Sequence, residues 1–140
     1  MKKIIIASHH NLASGFKDTI NYIVPDSVEI LDINAYVEQE EIETEIVSKL
    51  NNFSHTEQIF VFTDLLGGSV NQEFVKYLNE YNIELITGIN LPLIMTIVLS
   101  MAEDSNLSKE HIRSIIEEAK AQIIYVNDYL EDQGLDEDDE

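Results

Sequence analysis

Apolar and polar positions along the chain alternate between two kinds of short run. Compact runs, rich in β-branched and aromatic residues, predict buried strands at residues 2–7, 28–33, 58–62 and 83–87. Between them the apolar spacing turns helical. Residues 12–23 carry Leu12, Phe16, Ile20 and Ile23 on one face, and Pro25 ends the run. Residues 38–51 turn Ile42, Ile46, Val47 and Leu50 inward beneath an acidic outer face, and residues 70–81 do the same with Phe74, Val75 and Leu78. Residues 91–101 are apolar nearly all round, which predicts a helix buried on more than one side, with Pro92 suited to its entry. Ser108 caps a fifth helix that reaches residue 121. Gln122-Ile123-Ile124-Tyr125-Val126-Asn127 then predicts one more strand, an edge left over when the alternation ends. Strands and helices alternating at short spacing predict an α/β fold, an open, mainly parallel sheet with helices on both faces.

Composition narrows this picture without redirecting it. At 140 residues the chain is long enough for one domain with a substantial core, placed at residues 1–127. The absence of cysteine excludes disulfides, zinc–thiolate centres and thiol catalysis. The longest apolar run is too short for a bilayer, and no signal peptide is visible, so the expectation is a cytoplasmic protein without direct membrane insertion. Charge is more informative: 27 acids face 8 bases, for a net charge of −19. Such a surface repels nucleic acid and anionic lipid. Seven of the acids fall in the last ten residues, so residues 128–140 read as an acidic, disordered tail, while the body remains acidic as well.

The chemistry gathers at strand ends. The third predicted strand stops at Asp64, and the chain passes through Leu65-Leu66-Gly67-Gly68 to Ser69, with Gln72 at capping-box spacing. Strand, acid, glycine turn and helix start form an anion site when they meet at the carboxyl edge of a parallel sheet; otherwise they form an ordinary turn. The same edge receives Ser8-His9-His10 from the first strand and Gly88-Ile89-Asn90-Leu91-Pro92 from the fourth. If the first and third strands are neighbours, Asp64 faces His9. A carboxylate accepting the Nδ1 proton fixes the tautomer and makes Nε2 the nucleophilic nitrogen. The amides of Gly67, Gly68 and Ser69 would face an arriving anion. His10 points the other way if the pleat persists and is a helper at most. His55 and His111 read as surface residues. Adjacent histidines rarely converge on one ion, so neither a metal nor another cofactor is expected.

These residues resemble a known family. Ile5-Ile6-Ala7-Ser8-His9 with Leu12-Ala13-Ser14-Gly15 is similar to the SHG-xLAxG opening of the mannose-family enzyme IIA domains of the bacterial sugar phosphotransferase system. Asp64-Leu65-Leu66-Gly67-Gly68-Ser69 resembles their D-L-x-G-G-S loop, and Gly88-Ile89-Asn90-Leu91-Pro92 their G-x-N-x-P turn. The three matches follow the family's order and span residues 1 to about 127. His10 replaces the glycine that usually follows the active histidine, and Val70-Asn71-Gln72 replaces the common Pro-x-Asn. The resemblance implies a phosphohistidine phosphotransferase. His9 would accept a phosphoryl group from the histidine-containing phosphocarrier protein and pass it to a cognate enzyme IIB for sugar uptake. Asp64 would orient the ring, and Gly67, Gly68 and Ser69 would hold the phosphoryl oxygens. It also implies a homodimer in which the last strand, residues 122–127, is exchanged as an antiparallel edge strand.

Three rival readings stand beside this one. A response-regulator receiver needs an acidic pair after its first strand, where this chain has Ser8-His9-His10. The phosphocarrier subunit of a dihydroxyacetone kinase shares the fold and the histidine and differs in its acceptor. A non-catalytic regulatory module of the same fold would have no use for the intact His9, Asp64 and Gly67-Gly68-Ser69 set.

Overall fold

The structure, a computed structural model, describes residues 1–38, 40–103 and 106–134. Its framework is a four-stranded parallel sheet in the order β2-β1-β3-β4. The strands are β1 (Lys3–His9), β2 (Glu29–Ala35), β3 (Ile59–Thr63) and β4 (Ile83–Thr87). The helices are α1 (Leu12–Ile23), α2 (Ile42–Leu50), α3 (Ser69–Val75), α4 (Leu91–Glu103), α5 (Lys109–Lys120) and α6 (Val126–Asp132).

Strand alternation divides the interior into two cores. Ile4 and Ile6 of β1, Phe60 and Phe62 of β3 and Ile86 of β4 point to one face, where they meet residues of α1, α4 and α5. Ile5, Ala7, Ile33, Ala35, Ile59 and Val61 point to the other, against α2 and α3. Each fully buried isoleucine contributes about 1.5–3 kcal/mol relative to exposure. Strands buried on both faces account for the near-continuous apolar runs of β1 and β3. Helix α4 is apolar nearly all round because it packs on the sheet, α1 and α5 together; only flank positions such as Leu99 remain exposed.

The connection through α1 leads from β1 to one side, and the one through α2 returns over β1 to place β3 on the other. The carboxyl ends of β1 and β3 therefore form the switch point of the sheet, where a doubly wound fold opens a crevice. Among the described residues no helix is long and apolar enough to cross a membrane.

Some elements differ from the sequence reading. The expected edge strand at 122–127 is not formed: α5 ends at Lys120 with Ala121 as its C-cap, residues 123–125 join no strand, and α6 begins at Val126. β-propensity expresses how well a side chain fits a half-buried sheet, and within this chain Ile123, Tyr125 and Val126 have no sheet to fit, remaining 78%, 68% and 56% exposed. Helix α6 takes up the first residues of the expected acidic tail, and residues 135–140 lie outside the described residues. Helix α3 stops at Val75, not near residue 81, because the chain tightens into three-residue turns (Tyr77 N–H to Phe74 O, Leu78 N–H to Val75 O) before entering β4. Helix α2 starts at Ile42, four residues later than expected, past a run of glutamates. Burial raises the Glu45 carboxyl above its ordinary value, and the charges of Glu40 and Glu38 add to this.

Candidate functional site

β1 and β3 are hydrogen-bonded neighbours, with Ala7 opposite Thr63, so His9 and Asp64 leave adjacent strand ends at the switch point. Asp64 Oδ2 accepts from the His9 backbone N–H at 2.9 Å and lies 3.0 Å from His9 Nδ1. Its Oδ1 accepts from the Leu65 N–H at 3.0 Å. Partial burial works to raise the Asp64 carboxyl, but the hydrogen bonds and charge of His9 outweigh it and hold the group below the ordinary carboxylate value. An ionised carboxylate can only accept, so Nδ1 carries the proton, and in the neutral ring this leaves the lone pair on Nε2. Asp64 is largely enclosed, while a third of the His9 side chain remains open to solvent.

The glycine turn passes directly beside that ring. A β-carbon on Gly68 would stand 2.6 Å from His9 Cε1 and 3.3 Å from Nε2, so only glycine lets the backbone come this close. Gly67 has open space around it. The turn is held from beneath by Asn71, which is buried: Thr63 Oγ1 donates to its Oδ1 at 2.8 Å, and its Nδ2 donates to the Leu66 carbonyl at 3.2 Å. Ser69 and Gln72 do not form the expected capping box. Gly68 occupies the N-cap position of α3, and the Gln72 side chain lies 3.4 Å from the Leu66 carbonyl instead.

β2 also ends at this edge, and its contribution was not drawn from the sequence. His9 pairs with Ala35, and the His10 N–H donates to the Ala35 carbonyl at 2.8 Å. Both strand ends then break with left-handed residues, His10 at φ 55° and Tyr36 at φ 68°. This turn leaves His10 exposed and sends the Tyr36 ring toward His9, with centroids 5.7 Å apart and planes at 31°. The Tyr36 hydroxyl bonds the Ser69 hydroxyl. A rule already in hand, that parallel strands deliver their carboxyl ends to one edge, would have singled out Tyr36 had it been applied to β2.

Two further polar residues shape the platform. Buried Ser8 accepts the Ala13 N–H at 2.7 Å and donates to the His10 carbonyl at 3.2 Å, closing the corner between β1 and α1. Asn34 accepts the Ser14 N–H at 3.0 Å and donates to Asp32, which also pairs with Lys17. The turn after β4 plays a different part from the one its position suggested. Asn90 Oδ1 caps α4 through the Leu93 N–H at 3.0 Å, and its Nδ2 donates to the Ala119 carbonyl of α5 at 2.9 Å. His55 stacks on Tyr81, and His111 sits in the first turn of α5, its N–H donating to the Ser108 hydroxyl; neither belongs to this edge. Among the described residues no three His, Asp or Glu side chains gather as a metal site.

The sequence matches the family model described as the PTS system fructose IIA component (EIIA-man) over residues 3–117. Several solved structures are similar to it. One, described as a candidate phosphoenolpyruvate-dependent sugar phosphotransferase system permease from Klebsiella pneumoniae, is 32% identical, with 93% of this chain and 95% of that chain covered and a TM-score of 0.82. The PTS IIA protein associated with the fucose utilization operon of Streptococcus pneumoniae is 27% identical, with 93% and 97% covered and a TM-score of 0.67. The mannose/sorbose specific IIA subunit from Enterococcus faecalis is 19% identical, with 89% and 94% covered and a TM-score of 0.71, a likeness of fold. No curated protein gives a significant match.

Proposed function

Because the chain belongs to the mannose-type family of phosphotransferase-system IIA components, we propose that it relays a phosphoryl group between proteins through His9. The donor is the phosphohistidine of the histidine-containing phosphocarrier protein, and the acceptor is a cognate enzyme IIB serving sugar uptake. The observation that carries this reading is the His9 ring held between Asp64 at Nδ1 and the Gly68 backbone beside Nε2.

The Nε2 lone pair attacks the donor's phosphorus. As the new P–N bond forms, the donor's P–N bond breaks and its electron pair returns to the donor imidazole. His9 keeps its Nδ1 proton and becomes cationic, and the Asp64 carboxylate offsets that charge at 3.0 Å. Little covalent work falls to the protein; positioning and charge stabilisation carry the reaction. The Gly67 amide and the Ser69 hydroxyl take the phosphoryl oxygens, the Gly68 N–H being already committed to the Leu65 carbonyl at 3.2 Å, and the second transfer reverses the same steps toward enzyme IIB. His10 is exposed and turned by its left-handed backbone, which favours His9 as the acceptor.

The test is incubation with phosphoenolpyruvate, enzyme I and the phosphocarrier, followed by mapping of the modified residue. An acid-labile, base-stable phosphoramidate on His9 is expected, and none in His9→Ala. Label on His10 would overturn the assignment. Onward transfer to an enzyme IIB, as opposed to a dihydroxyacetone kinase, separates the sugar carrier from the kinase subunit.

Assembly follows from the unpaired edge. β4 is the last strand of the sheet, and Ile123, Tyr125 and Val126 stay exposed beyond α5. A second copy supplying residues 122–127 to that edge would satisfy both. Sedimentation at micromolar concentration should give a dimer mass; a monomer would count against the exchange.

A further inference from the structure

We propose that Tyr36 is a positioning residue for phosphoryl transfer, acting through the Ser69 hydroxyl. The inference rests on the carrier reading above and extends it to a residue outside the motifs that define the site. Three observations converge on it. The Tyr36 hydroxyl is bonded to Ser69 Oγ, although Tyr36 follows β2 and Ser69 opens α3 after β3, with β1 between the two strands. Its ring rests 5.7 Å from the His9 ring, on the same edge as the Gly68 approach to Nε2. Its backbone is left-handed at φ 68°, a conformation unfavourable for a bulky side chain and concentrated at functional sites.

The chemistry lies in where the hydroxyl protons go. Each of the two hydroxyls has one proton, and a single hydrogen bond between them uses one. With the phenol as donor, the Ser69 oxygen is fixed as acceptor and its own proton is left to point away from Tyr36. It is then available to a phosphoryl oxygen as Nε2 bonds phosphorus. No proton moves in this step; the serine donates a hydrogen bond to charge that is already present. Without the phenol, the Ser69 hydroxyl rotates freely, and on an exposed helix end it is as ready to bond water. Tyr36 thus makes a weak, mobile donor a directed one.

The test is a double-substitution cycle in single-turnover transfer from the phosphorylated carrier protein. Tyr36→Phe keeps the ring and the backbone and removes only the hydroxyl. It should slow transfer about 3- to 10-fold, the worth of one net hydrogen bond, with the donor concentration at half-saturation unchanged. Ser69→Ala should slow transfer by at least as much. Adding Tyr36→Phe to Ser69→Ala should then cost nothing more, because the group it works through is gone. A wild-type rate for Tyr36→Phe, or full additivity of the two changes, would overturn the proposal and leave the carrier reading standing. Failure of the wild-type protein to accept phosphoryl on His9 would overturn the carrier reading and this proposal with it.

Discussion

Gly68 stands against His9: the ring atom Cε1 would be 2.6 Å from a β-carbon at that position. The backbone there, at φ −77° and ψ 155°, is one that any residue adopts, so glycine is required for space and not for conformation. In Gly68→Ala the ring must swing, and the Nδ1 contact to Asp64 is the one at risk. Transfer to His9 should fall roughly 10- to 100-fold, as for a misplacement of about 1 Å, with the melting temperature little changed. Transfer kinetics beside a thermal melt check this, and a full-speed Gly68→Ala would mean that the loop yields instead.

Asp64→Asn keeps the shape and removes the charge. Its amide is a weaker acceptor or, turned over, a donor that favours the wrong imidazole tautomer. Transfer should slow by about 10²–10⁴-fold, the range for lost acid–base or electrostatic assistance. Circular dichroism should be unaltered, since the His9 N–H and the Leu65 N–H lie at the sheet edge.

Acid stability follows from the same carboxylate and from Asp32. Burial opposes ionisation of Asp32, but Asn34 and Lys17 outweigh it and hold it, like Asp64, below the ordinary value. A depressed carboxyl contributes stability above its unfolded-state pKa and loses it as pH falls through its folded-state pKa. Urea midpoints should therefore decline below the ordinary carboxylate range, and the decline should be shallower in Asp32→Asn and Asp64→Asn. Parallel curves for variant and wild type would rule out these two groups as its source.

Gly15 and Gly88 both have open space where a β-carbon would go, yet alanine should act oppositely at the two. Gly15 lies within α1, so Gly15→Ala should stabilise by about 0.5–1 kcal/mol. Gly88 has φ 71°, so Gly88→Ala should destabilise by about 1–2 kcal/mol. Chemical denaturation of the two variants separates conformational from steric reasons for a glycine.

Asn71→Ala should cost about 1–3 kcal/mol, because it leaves the buried Thr63 hydroxyl without its partner and takes from the Leu66 carbonyl one of its two side-chain donors. If Asn71 also steadies the loop, transfer to His9 will drop more than Tm alone would suggest; an unchanged rate would restrict it to stability.

How much of this was legible depended on whether the deciding interaction was local. β4 and α1 fall at the expected residues, because alternation and helical spacing in those runs agree with their burial. The pairing of His9 with Asp64 was legible conditionally, through the strand-end rule, and needed the sheet order to make the two strands neighbours. Tyr36 escaped because its role depends on a left-handed corner and a contact across β1, neither of which leaves a periodic trace. Residues 122–127 form no strand within one chain although their side chains favour one: pairing needs a neighbouring strand, and the sequence pattern does not say whether the same chain or a second copy supplies it.

The Asn90 side chain, bonded at once to the first turn of α4 and the last turn of α5, fixes where the polypeptide leaves the body. Everything after Ala121 departs from a point clamped to the loop that follows β4. A change at Asn90 would therefore be felt as a loss of aim: the segment of Ile123 to Leu130 would keep its composition while the direction in which it leaves α5 became variable. A pairing that depends on direction would weaken even with both of its surfaces intact.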